Sequence, residues 1–355
     1  MKYLSLFIVP ICCFILSTKS FTQKRNPVPA ENRMSAYLMV YFKDDTHGLY
    51  FALSKDGYSF TDVNNARPVI AGDTIAEQKG IRDPYIYRNP KDGLFYLALT
   101  DLHIYAQKAG YRTTEWERDG KEFGWGNNHG LVLMKSRDLI HWSHTVLRVD
   151  LAFAGLENIG CAWAPAMIYD ETLKKTMIYF SMRFGKDKEK VYYSYMNDDF
   201  TQMETVPKAI FDYPKNNIAY IDGDITKLGN KYHFFYVPHD GTSGIKQAIS
   251  DSLTSGYVYD SAWVDPEPVG CEAPTIFKRI GENKWVLIYD IYRINPHNFG
   301  FSETTDFIHF TNLGHFNKGL MKMTNFSIPK HPSVIQLTKK EAQRIADNWG
   351  LKMNF

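Results

Sequence analysis

The feature that most constrains this chain is a recurring strand–turn–strand unit. An apolar alternating strand ends in Ser or Asn, an acidic turn follows, and an aromatic residue or Met begins the next strand. Copies read FALSKDGYSF (51–60), LMKSRDLIHW (133–142), YSYMNDDFTQM (193–203), AISDSLTSGY (248–257) and FSETTDFIHF (301–310). The Ser or Asp side chain can bond its own backbone and close each turn. Successive copies lie about 50 to 80 residues apart, and short strands repeating at such a period are the signature of a β-propeller.

Two further strand types fall between the copies. One is rich in Tyr and Leu: FYLALTD (95–101), KTMIYFSM (175–182), YHFFYV (232–237) and WVLIYD (285–290). The other precedes it: DPYIYR (83–88), APAMIYD (164–170), DGDITKL (222–228), EAPTIFKR (272–279) and HPSVIQL (331–337). These last segments are expected to be the innermost strands. Four units are complete, at about 82–150, 161–212, 219–265 and 271–316. The fifth has only HPSVIQL, and its outer strands are AYLMVYF (36–42), HGLYFALS (47–54) and YSFTDVN (58–64) at the other end of the chain. Pairing the termini in one blade closes the ring and protects edges that an open array would expose. The expected fold is therefore all-β: a five-bladed propeller closed by N- and C-terminal strands, forming one domain over 32–355.

Residues 103–129 stand outside the repeat as a long insertion with Tyr105, Tyr111, Trp116, Phe123 and Trp125. A loop of that length in a compact domain is usually functional or disordered. Thr338 and Glu341 have capping-box spacing, and Ala342, Ile345, Ala346 and Trp349 recur at helical spacing before Gly350, predicting a short C-terminal helix.

The start of the chain reads as a signal peptide over 1–20, with Lys2, an apolar run over 4–16 and small residues at Thr18 and Ser20; 21–31 follows as a short linker. The expectation is export to the periplasm or the medium, with no membrane span. Cys12 and Cys13 leave with the signal. Cys161 and Cys271 lack metal-site spacing and read as buried small hydrophobes, with a disulfide left open. A formal net charge of +2 argues against a partner held through phosphates.

The starts of the innermost strands converge on one end of the channel. They are Asp83-Pro84, Trp163-Ala164-Pro165, Asp222-Gly223, Glu272-Ala273-Pro274 and His331-Pro332. Three carry carboxylates, an unfavourable crowd unless chemistry requires it. Glycoside hydrolysis does: one carboxylic acid protonates the leaving oxygen, and one carboxylate activates water or attacks the sugar. A third nearby keeps the acid protonated, because close anions resist joint ionisation.

In this order IRDPYIYR, CAWAPAMIYD, AYIDGDITKL, GCEAPTIFKR and KHPSVIQL resemble glycoside hydrolase family 43 over the whole chain after the leader. The resemblance implies Asp83 as general base, Asp222 as the residue that tunes and orients the acid, and Glu272 as general acid, with inversion at the anomeric carbon. An inverting site leaves room for water between carboxyls about 6.5 to 9.5 Å apart. The resemblance also makes Trp163 a candidate wall of the sugar pocket. Arg293 is similar to an Arg that contacts the terminal sugar in family xylosidases, and Trp125 or Phe123 can reach the mouth from the insertion. In many members the His matching His331 helps hold a calcium ion or water cluster, so His331 is the candidate metal contact; no cofactor is required. Two positions depart from the family: Ala166 stands where an acidic residue is common, and Pro332 where Gly is usual.

The expected activity is exo-acting removal of terminal β-xylosyl, or α-L-arabinofuranosyl, residues from a polysaccharide or oligosaccharide. The enzyme alternatives are a family 43 galactosidase and an endo-arabinanase. The alternative of another class is a glycan-binding propeller without catalysis.

Overall fold

The computed structural model describes residues 28–111, 118–241 and 244–355. The leader over 1–20, most of the linker and Trp116 lie outside them. Five sheets make the five-bladed propeller the repeat predicts. From the channel outward, blade one is Ile81–Arg88, Phe95–Asp101, Gly130–Ser136 and Trp142–Arg148. Blade two is Ile159–Asp170, Lys175–Phe184, Lys190–Tyr195 and Lys208–Ala209. Blade three is Tyr220–Leu228, Lys231–Pro238, Lys246–Ser250 and Val258–Tyr259. Blade four is Glu272–Lys278, Trp285–Ile291, Asn298–Thr304, Thr311–His315 and Lys318–Gly319. The closing blade sets Lys330–Thr338 innermost, beside Met34–Phe42, Leu49–Ser54 and Ser59–Asp62, so the two ends of the chain pair in one sheet. Its outer edge gains a short parallel partner, Lys322–Met323, that the repeat did not announce.

Strands buried on both faces read as nearly continuous apolar runs. In Met34–Phe42 the pleat sends Leu38, Val40 and Phe42 into the core shared with blade one, and Tyr37, Met39 and Tyr41 into the core shared with blade four. Three more such cores fill the remaining gaps between blades. The acidic turns close as their side chains allow: Ser136 Oγ accepts from Leu139 N–H at 2.9 Å, and Asp138 Oδ1 accepts from Ile140 and His141 N–H at 3.0 and 2.8 Å. Ser54 with Asp56, and Thr304 with Asp306, repeat the pattern.

The blades are stitched at the channel by a ring of bonds. Ala164 N–H donates to Thr100 Oγ1 (2.8 Å), Asp222 N–H to Ser181 Oγ (3.0 Å) and Ala273 N–H to Asp222 Oδ2 (3.1 Å). Thr275 Oγ1 donates to Pro332 O (2.9 Å), and Ile86 N–H to Ser333 Oγ (2.7 Å), which returns the ring to blade one. The C-terminal helix, Lys339–Trp349, has the expected Thr338–Glu341 capping box and ends at Gly350 in the left-handed region (φ 67°). Arg88 pins it to blade one through two hydrogen bonds to Glu341 at 2.7 and 2.8 Å.

Candidate active site

Each innermost strand carries a bulge near its start, where the ladder shifts register. At each bulge one non-glycine residue has positive φ: Asp83 (51°), Ala164 (45°), Asp222 (55°), Ala273 (58°) and His331 (45°). Such a conformation is costly for a side-chain-bearing residue and re-aims it. The five strained residues repeat at equivalent places, near the starts of the five innermost strands.

The bulges also correct one expectation. The three carboxylates are not at one repeat position. Asp83 and Asp222 are the left-handed residues of their blades, whereas in blade four that place belongs to Ala273. Glu272 stands one residue earlier, in the ring of Arg82, Trp163, Ile221 and Lys330. Aligned on the Pro or Gly that follows, the strand starts RDP, WAP, IDG, EAP and KHP carry the same one-residue difference.

Asp83 Oδ2 accepts from Thr100 Oγ1 at 2.7 Å, and Oδ1 lies 3.2 Å from His331 Nδ1. Burial opposes ionisation of Asp83, but the charge and hydrogen bond of His331, then Arg82 and Thr100, hold its carboxyl well below the usual range. His331 is itself raised: burial disfavours its charge, and Asp83, Asp222 and Glu272 outweigh that. Asp222 goes the other way. Burial, reinforced by Glu272 and Asp83 against the pull of His331, lifts it to about 7. Asp83, Asp222 and Glu272 thus share one electrostatic site although they are scattered along the chain.

Three residues that sequence reasoning missed complete it. Lys330 Nζ lies 3.4 Å from Glu272 Oε1, 3.5 Å from Asp290 Oδ2 and 3.7 Å from Asp44 Oδ2. Asp290 is directly opposite Glu272 in the blade-four ladder. Asp44, on the turn after Met34–Phe42, also pairs with Arg82 Nη1 at 2.7 Å. Of the three only Lys330 left a signal, as the charged residue immediately before the left-handed position in KHPS.

The wall is aromatic. Trp163 donates from Nε1 to Gly126 O (2.9 Å) and stacks under Arg183, whose guanidinium is 4.6 Å from the ring centre. Trp125 meets Trp163 edge to face at 6.0 Å and is 69% exposed. Beyond Asp44, a cavity of about 860 Å³ is lined by His103, Tyr105 and Tyr111 of the insertion. Arg293 is exposed and lies over the Tyr292 ring at 5.6 Å; among the described residues it forms no ion pair with the carboxylates. His331 Nδ1 faces Asp83, and among the described residues no group of three or more His, Cys, Asp or Glu is placed to hold a metal. Cys161 and Cys271 are both buried and free. Ala166 packs into the core between blades two and three. Among the described residues no helix is long and apolar enough to cross a membrane.

Residues 32–343 match the model of a probable glycosyl hydrolase domain related to glycoside hydrolase family 43. The chain belongs to that family. Solved structures share the family-43-like propeller at low identity. An endo-1,4-β-xylanase of Bacteroides thetaiotaomicron is 13% identical, with 82% of this chain and 97% of that one covered and a TM-score of 0.56. An α-L-arabinanase of Cellvibrio cellulosa, complexed with arabinohexaose, is 14% identical over 78% and 91% of the two chains, with a TM-score of 0.51. A family 43 β-1,3-galactosidase is 11% identical over 78% and 56%, with a TM-score of 0.52. No curated protein matches the chain.

Proposed function

We propose that this glycosyl hydrolase-family propeller is an inverting exo-glycosidase that removes terminal pentoses, β-xylosyl before α-L-arabinofuranosyl, from an oligosaccharide or polysaccharide outside the cytoplasm. The observation that carries the reading is the opposite treatment of two neighbouring carboxyls. Asp83 is held ionised by His331, Arg82 and Thr100, while Asp222 is lifted to about 7. The contrast supplies the stable anion that a base needs in Asp83, and in Asp222 a neighbouring carboxyl that resists ionisation.

Asp83, a stable anion, takes a proton from the attacking water. Glu272 gives its proton to the leaving oxygen on the other face of the sugar. The Asp222 carboxyl accepts from the Ala273 N–H, which fixes the peptide next to Glu272. Trp125 and Trp163 offer flat apolar faces for the terminal ring. The cavity beyond Asp44 leaves space for the departing part of the substrate.

The test is Glu272→Gln with a panel of aryl xylosides, arabinofuranosides and galactosides. Hydrolysis of pentosides with poor leaving groups is expected to fall by about 10²-fold or more, with NMR of the wild-type reaction showing inverted product. Near-normal turnover of the variant refutes the assignment. Preference for galactosides refutes the pentose reading, and binding without turnover by the wild type favours the glycan-binding alternative.

A further inference from the structure

Lys330 is a buried ammonium, its side chain only 7% exposed, and burying an unpaired charge costs several kcal/mol. It faces three carboxylates from three elements: Glu272 on the innermost strand of blade four, Asp290 on the next strand, and Asp44 on the closing blade. Asp290 is fully buried, and neither of its oxygens has a hydrogen-bond partner among the described residues. Its nearest cation is shared with Glu272, its cross-strand partner. Asp290 and Glu272 therefore compete for one ammonium.

We propose that Lys330 is a positioning residue for the acid Glu272: it orients the carboxyl and takes up the negative charge left there when the proton passes to the leaving oxygen, while Asp290 limits how strongly it does so. The proposal rests on the glycosidase reading above. In the step concerned the Glu272 O–H bond breaks, the proton joins the glycosidic oxygen, and the electron pair stays on a carboxylate that accepts a hydrogen bond from Lys330. The other groups facing this cluster are accounted for. Arg82 is paired with Asp44. His331 is paired with Asp83. Asp222 faces Glu272. His297, before the third strand of blade four, is lowered by burial and Lys330. Burial, with Glu272 and Asp44 and against Lys330 and His331, lifts Asp290 to about 7, so it is an anion on the alkaline side of neutrality, where the competition is felt.

The two partners act with opposite sign, which a merely structural role does not reproduce. Lys330→Met removes an attraction for the Glu272 anion. The alkaline limb of its kcat/KM profile is expected to move up by about one pH unit or more. Its turnover is expected to fall further for poor leaving groups than for activated aryl pentosides. Asp290→Asn frees Lys330 for Glu272, and the same limb is expected to move down. Lys330→Arg keeps the charge and restores the wild-type limb. Circular dichroism checks each fold, and if Lys330→Met does not fold, the Asp290→Asn and Lys330→Arg profiles decide. Limbs that stay in place, or move in the same direction, overturn this inference while Glu272→Gln still supports the glycosidase reading. A wild-type protein inactive on every glycoside removes both.

Discussion

Thr100 serves two neighbours at once. Its hydroxyl donates to Asp83 Oδ2 at 2.7 Å and accepts from the Ala164 N–H at 2.8 Å, joining Asp83 of blade one to blade two through one atom. Thr100→Val keeps the shape and removes both bonds. The Ala164 amide, buried at 4% exposure, is left without its acceptor, which costs about 1–3 kcal/mol. Asp83 loses a hydrogen bond to a charged group, worth about 1.5–3 kcal/mol. The two share one site and do not add fully, so the expected destabilisation is on the order of 3 kcal/mol. The functional sign follows from the same atom. Thr100 helps hold Asp83 low, so its loss raises Asp83 and moves the acid limb of the kcat/KM profile to higher pH. A depressed carboxyl stabilises the fold above its unfolded value and loses that contribution as pH falls through its folded one. The deficit of Thr100→Val is therefore greatest near neutrality and narrows in acid. Denaturant unfolding followed by circular dichroism, with pH–rate profiles on the same preparations, measures both effects, and Thr100→Ser should recover most of each. A stability within about 0.5 kcal/mol of wild type, or an acid limb that does not move, would refute the reasoning.

Two further outcomes are expected. Four buried carboxyls, Asp101, Asp222, Asp224 and Asp290, are each lifted to about 7, with burial the leading cause. An acid raised in the fold binds its proton more tightly there than in the unfolded chain, so stability is lost as pH rises from about 4 toward 7. The buried His47, lowered to about 3, opposes this below its ordinary range, but the carboxyls outnumber it. The melting temperature is expected to be lower at pH 8 than at pH 5.5, and a scan by calorimetry that rises instead contradicts the burial argument. Trp125 is 69% exposed, so Trp125→Ala is expected to leave the melting temperature almost unchanged while raising KM several-fold for pentosides; an unchanged KM removes Trp125 from the sugar wall.

The chain's own pattern determined the propeller. Alternating strands, Ser/Asp turns and the capping box are local devices whose partners lie within a few residues, and Ser136 with Asp138 or Thr338 with Glu341 bond as their spacing requires. Closure by the termini was legible as well, since HPSVIQL lacked outer strands and residues 36–64 supplied them. Asp83, Asp222 and Glu272 could be named because each opens an innermost strand. Their environments could not. Whether Glu272 or Ala273 takes the left-handed position is set by the bulge register, and one residue of register decides which side chain enters the site. Asp290 reads in sequence as the end of an apolar strand, Lys330 as a residue before a strand start, and Asp44 as a turn residue. Only the closed ring brings Asp290 and Asp44 to 3.5 and 3.7 Å from the Lys330 ammonium. Charge pairing at such range depends on three-dimensional proximity alone, and sequence separation carries no trace of it.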